Sequence, residues 1–100
     1  MDEIAVSLKT KQQALKCYLP FVSHGALLIN CEQPLKLGEK VHLMVSFTEL
    51  KKKLSCDAKL VWISAKDLKG SNNFGVQFTG ENAGLLNQYL KKYLAELLDD

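Results

Sequence analysis

The chain contains no arginine; all of its 13 basic residues are lysine. A guanidinium grips phosphates and guanine edges through a planar fork, whereas a lysine ammonium is a point charge. Any function that needs such a clamp starts without its usual tool. Cysteine is scarce too. Cys17, Cys31 and Cys56 are odd in number and show no Cys-x-x-Cys spacing. Neither His24 nor His42 pairs with a cysteine at ligand spacing, so no metal site is read. The thiols read as small buried residues of a reducing compartment, and the sequence leaves a Cys17–Cys31 disulfide open. No apolar run approaches the roughly 18 residues of a membrane span. The start, Met1-Asp2-Glu3-Ile4, carries acids where a signal peptide would be positive. Both absences point to a cytoplasmic protein without membrane insertion. A formal charge of +2 is too small to select a partner.

What is present is an ordinary globular composition, 47% hydrophobic and 24% charged over 100 residues. That length is one domain, residues 1–100, with a core of its own. Glu3 to Lys9 alternates loosely and reads as a strand. Thr10-Lys11-Gln12-Gln13 has the capping-box pattern, and a helix is expected from Lys11 to Tyr18. Pro20 stops it, because its ring disfavours helical geometry at Leu19 and it has no N–H. Gly25 to Cys31 is the next strand, bounded by Glu32-Gln33-Pro34, and Gly38 marks a turn.

Val41 to Thr48 alternates cleanly, with Val41, Leu43, Val45 and Phe47 on one face. Lys51-Lys52-Lys53 reads as a solvated hairpin tip rather than an anion site. Leu54 to Ile63 places Cys56, Ala58, Leu60 and Trp62 on one face and Asp57, Lys59, Val61 and Ile63 on the other. Both faces turn apolar at the end, so the strand is buried on both sides there, or Trp62 or Ile63 is exposed. Lys66 to Asn73 is a polar loop, and Phe74, Val76 and Phe78 mark a closing strand. From Asn82, Leu86, Leu90, Tyr93, Leu94, Leu97 and Leu98 recur at helical spacing. The expected fold is mainly β: a small antiparallel β-barrel with a short N-terminal helical segment and a C-terminal amphipathic helix. Nothing in the pattern supports a parallel sheet.

No catalytic constellation is visible. His24 and His42 lack a local acid or nucleophile at telling spacing, and no glycine-rich phosphate loop exists. A non-enzymatic protein without a cofactor is expected. A single-stranded nucleic-acid-binding barrel is the rival reading, since exposed aromatics beside lysines can stack bases. Near-neutral charge and the missing arginine weigh against it.

Four segments together resemble a PilZ domain: Gly25-Ala26-Leu27-Leu28-Ile29, Leu37-Gly38-Glu39-Lys40-Val41-His42-Leu43, Ala58-Lys59-Leu60-Val61-Trp62 and Phe74-Gly75-Val76-Gln77-Phe78. The resemblance implies a small β-barrel of about six strands with a C-terminal helix. Most PilZ domains bind cyclic di-GMP through R-x-x-x-R and [DN]-x-S-x-x-G. The first motif is impossible here. The second falls on Phe21, Ser23 and Ala26, of which only Ser23 matches. Tyr18-Leu19-Pro20-Phe21-Val22 and Leu60-Val61-Trp62-Ile63 are similar to the type IV pilus assembly subgroup, which lacks the nucleotide motifs. That similarity implies a cytoplasmic adaptor of pilus biogenesis and twitching motility, binding the extension ATPase PilB and in some bacteria FimX. A cyclic di-GMP receptor with a divergent site is the alternative within the family.

An adaptor needs apolar anchors left accessible by its own fold. Tyr18, Leu19, Pro20 and Phe21 are candidates because Pro20 forces an extended, surface-prone elbow; Trp62 is the other. On this reading the protein is a monomer, and Tyr18→Ala leaves melting nearly unchanged while abolishing capture of the ATPase. Losing several charge-assisted bonds at roughly 1.5–3 kcal/mol each removes most of a micromolar affinity. Titration calorimetry with cyclic di-GMP is therefore expected to show no binding at micromolar concentrations, and a micromolar or tighter isotherm refutes the reading.

Overall fold

Val41, Leu43, Val45 and Phe47 are all fully buried along the strand Lys40–Phe47, as their alternation requires. The computed structural model that shows this describes residues 2–31, 35–63 and 72–98. In chain order the elements are β1 (Asp2–Leu8), α1 (Lys11–Cys17), β2 (Tyr18–Leu19), β3 (Ala26–Cys31) and β4 (Lys40–Phe47). They continue with β5 (Lys52–Ile63), β6 (Asn72–Thr79), α2 (Ala83–Tyr93) and α3 (Ala95–Leu98). The strands form one six-stranded sheet in the order β1-β4-β5-β6-β3-β2. Leu27, Leu43, Leu60, Val76 and Phe78 cover its inner face, and Leu86 and Leu90 of α2 pack into the same core.

Two features depart from an antiparallel barrel. β1 runs parallel to β4, in register from Asp2 opposite Val41 to Leu8 opposite Phe47. Roughly thirty residues separate these strands, ample for the crossover that a parallel pair needs. The sheet also stays open, because its end strands β1 and β2 do not pair with each other. α1 packs against both β1 and β3 instead. The remaining pairings are antiparallel.

The punctuation follows local chemistry. Thr10 Oγ1 accepts the Gln13 N–H at 3.1 Å, and Gln13 Oε1 accepts the Lys9 N–H at 2.8 Å, so orphan donors at the helix start are satisfied. α1 ends at Cys17, one residue earlier than expected, because Tyr18 is already extended. The hairpin tip turns on a left-handed Lys51 after a 3-10 turn at Thr48–Leu50, and Lys52 and Lys53 open β5. The C-terminal helix bends at Leu94 rather than running through, and α3 follows. The expected turn at Glu32-Gln33-Pro34 and most of the loop after Lys66 lie outside the described residues. Cys17, Cys31 and Cys56 are free thiols.

Gly25 is the tightest point. Its φ of +83° is the left-handed region, and an added Cβ would collide with the Asn87 side-chain amide and lie 3.2 Å from Phe78 Cδ2. Its carbonyl meanwhile accepts the Phe78 N–H at 3.0 Å. Gly25→Ala combines a strained backbone with overpacking, so a loss of about 2 kcal/mol or more is expected. Thermal melting should fall by roughly 8–16 °C for a chain of this size, and an unchanged melting point refutes the packing account.

Candidate functional site

Strand parity decides which side chains a partner can reach. Leu60 pairs with Val76 on the buried face, but the next pair is Trp62 with Gly75, because the ladder carries a bulge between them. The extra residue, Val61, turns Trp62 out of the Leu60 face onto the outer face. Alternation groups Trp62 with Leu60 and leaves its exposure open; the bulge is the physical reason that Trp62 is exposed. Val61 is 38% exposed, Trp62 48% and Ile63 41%.

Gly75 is where the indole comes to rest. A Cβ there would lie 3.1 Å from Trp62 Cβ and 3.3 Å from its Cε3, so any larger residue would push Trp62 away from β6 by a few tenths of an ångström. The same missing Cβ would be 3.8 Å from Leu19 Cδ1. Leu19 and Trp62, 43 positions apart, thus meet over one backbone site. Leu28 pairs with Gly75 from the other side and is half-buried. Pro20 and Phe21 follow Leu19 in a turn closed by Val22 N–H to Leu19 C=O at 3.3 Å. Phe21 is 82% exposed. Around the strip lie Lys59, Gln77 and the Asn30–Asn73 side-chain hydrogen bond of 3.0 Å.

Tyr18 is not part of this surface. Its ring is buried, and its hydroxyl donates to Asn87 Oδ1 on α2. Burial pushes its pKa up, which keeps the hydroxyl a donor. The expectation of an exposed Tyr18 at a surface elbow is corrected: Tyr18 points in and Leu19 points out, as consecutive strand residues must.

The segment that would carry the second nucleotide motif is built as a tight turn. His24 is left-handed at φ 66°, the Gly25 N–H donates to the Val22 carbonyl at 2.8 Å, and Gln77 Nε2 donates to the Ser23 carbonyl at 2.7 Å. The six strands and the C-terminal helix are what the family resemblance implied. The family model described as PilZ domain matches residues 3–96. The chain belongs to the PilZ domain family. No curated protein matches it. A PilZ domain is a cyclic di-GMP-binding or adaptor-type module rather than a catalytic one. Phe21, at the motif's Asp/Asn position, projects into solvent, and Ala26, at its glycine position, is buried.

Other polar groups are sparse. His42 Nδ1 and Asp57 Oδ1 lie 2.8 Å apart across β4 and β5, a contact that their sequence separation hid. Both are partly exposed. The nearby thiol, Cys56, is buried; its Sγ donates to the Asp57 carbonyl at 3.0 Å, and burial pushes its pKa up. The dyad therefore reads as a cross-strand surface pair worth at most about 1 kcal/mol. Among the described residues, no three histidine, cysteine or acidic side chains gather as a metal site, and no helix is long and apolar enough to cross a membrane.

The Tyr18 correction reverses an expected outcome. Tyr18→Ala should cost about 3–5 kcal/mol as a core truncation. Tyr18→Phe should cost about 1 kcal/mol by leaving Asn87 Oδ1 without its donor. Urea unfolding of the two variants checks the ranking, and a fully stable Tyr18→Ala protein would return Tyr18 to the surface.

Proposed function

We propose that this PilZ domain is a cytoplasmic, non-enzymatic adaptor of type IV pilus biogenesis and twitching motility. Its partner is the pilus extension ATPase PilB, with a FimX-like signalling protein as a second candidate, and it does not itself bind cyclic di-GMP. The observation that carries the reading is the outer apolar strip from Trp62 across Gly75 and Leu19 to Phe21. Large apolar side chains at 48% and 82% exposure cost a soluble domain solubility unless something covers them. Aromatic anchors ringed by polar groups are the usual make-up of a protein-docking centre. The missing arginines and the exposed Phe21 at the motif position support protein docking over nucleotide binding.

The pilus assignment rests on similarity of Tyr18-Leu19-Pro20-Phe21-Val22 and Leu60-Val61-Trp62-Ile63 to the pilus subgroup. In that segment Tyr18 now supports the elbow from within while Leu19, Pro20 and Phe21 make contact. Purified PilB should be retained by the wild-type domain. Phe21→Ser and Trp62→Ser should each weaken retention at least about tenfold, a loss near 1.4 kcal/mol, with melting changed by only a few degrees. Retention unaffected by both variants refutes the docking face. Binding of cyclic di-GMP or of single-stranded oligonucleotide in place of PilB refutes the adaptor.

A further inference from the structure

At the other end of β5 the chain builds a second, chemically different surface. Phe47, Tyr89 and Tyr93 form an aromatic cluster with ring centroids 4.8 and 5.5 Å apart in edge-on geometry. Leu50 of the 3-10 turn is 48% exposed. Between them is a groove of about 300 Å³ lined by Lys11, Leu50, Tyr89, Lys92 and Tyr93. Lys11 Nζ stands 5.6 Å from the Tyr93 ring centroid.

Charge at this groove is one-sided. Lys11 and Lys92 line it, and Lys51, Lys52 and Lys53 follow directly on Leu50. Lys52 pairs with Phe47, so it lies on the sheet face that turns toward α2. The acid in the turn, Glu49, accepts the Tyr93 hydroxyl at 2.7 Å and is thereby tied down. Glu96 of α3 is the next acid along the helical end of the chain. Among the described residues, the charged side chains that line the apolar floor are thus Lys11 and Lys92, with Lys52 on the adjoining sheet face.

We propose that this groove docks an acidic polypeptide segment carrying leucine or phenylalanine between its carboxylates. The apolar side chain fills the space between Leu50 and the tyrosine rings, and the lysines meet the flanking acids. Charge complementarity selects the partner's sign and speeds encounter, and the recessed floor selects its apolar group. An anionic membrane fits less well, because interfacial binding needs apolar groups that project beyond the charges. Base stacking fits less well still, since Tyr93 is buried and packs its ring edge-on inside the domain. The inference does not depend on the Trp62 strip or on the identity of any pilus partner.

The test uses the full chain and a fluorescein-labelled peptide in which glutamates alternate with leucine and phenylalanine. Its control has every glutamate replaced by glutamine, and phosphatidylglycerol vesicles form a third arm. Fluorescence anisotropy should show saturable binding of the acidic peptide below about 1 mM. That binding should weaken at least about fivefold between roughly 0.05 and 0.3 M salt. A Lys11→Glu/Lys92→Glu variant and Leu50→Asp should each lose it by a similar factor, while Trp62→Ser retains it. Lys11→Gln/Lys92→Gln removes the charges without reversing them, and circular dichroism melts confirm that each variant folds. The proposal fails if the acidic peptide does not bind, if the glutamine peptide binds equally, if salt has no effect or if folded variants bind like wild type. Capture by vesicles stronger than by peptide assigns the groove to membrane and also overturns it.

Discussion

The hydrogen bond from Tyr18 to Asn87 fixes most of what this domain can present. Tyr18 stands where α1 ends and β2 begins, and its side chain reaches through the core to α2. Once Tyr18 points inward, strand geometry sends Leu19 outward. Gly25 leaves the room in which the Asn87 amide sits, since any Cβ there would occupy it. The elbow is thereby tied to the C-terminal helix by a residue from each of three segments. An exposed Phe21 is held out on a fixed base rather than on a loose loop. The polar bond is also the device that gives the elbow one orientation; an apolar side chain at 18 would pack with less directional preference.

The second constraint is the bulge in β5. Cys56, Ala58 and Leu60 enter the core in strict alternation, and the extra residue at Val61 ends that phase. Trp62 then lies on the outer face opposite Gly75, beside Leu19. A bulge both re-aims a side chain and increases local twist, and here it converts a core tryptophan into a surface one. The nucleotide site typical of the family would need polar groups around the Ser23 turn. In this chain the turn carries an exposed Phe21 and a buried Ala26 beside the Gln77–Ser23 hydrogen bond.

Where the sequence shows a period, structure was legible from it. The four buried residues of β4, the buried Phe74, Val76 and Phe78 of β6, and the Thr10 cap follow from spacing and local chemistry alone. Tyr18 was not legible, because a two-residue strand has no period to read and a proline nearby suggested exposure. Parity alone left open whether Trp62 is exposed, because a bulge adds one residue and leaves no composition signal beyond apolar residues on both faces; its choice as an accessible anchor agrees with its exposure. Parallel pairing of β1 with β4, and the His42–Asp57 contact, depend on neighbours far apart in the chain. Gly75 could have been suspected, since a glycine within a strand often marks close approach by another group.

The placement of the two surfaces bears on how such a domain could act. Lys52 and Trp62 are ten residues apart on one strand, on the order of 30 Å by strand rise. β5 is hydrogen-bonded on both sides, to β4 and β6, and its inward residues are almost fully buried. A central strand of that kind offers no alternative arrangement for a signal to select, and coupling between sites requires an element with two states. A partner at the Trp62 end and an acidic segment at the lysine end would therefore bind with little mutual effect on affinity. Their gain would come from being held at a fixed separation, so that engagement at one end raises the effective concentration at the other. If both surfaces dock partners as proposed, the domain would bridge them rather than relay a conformational change between them.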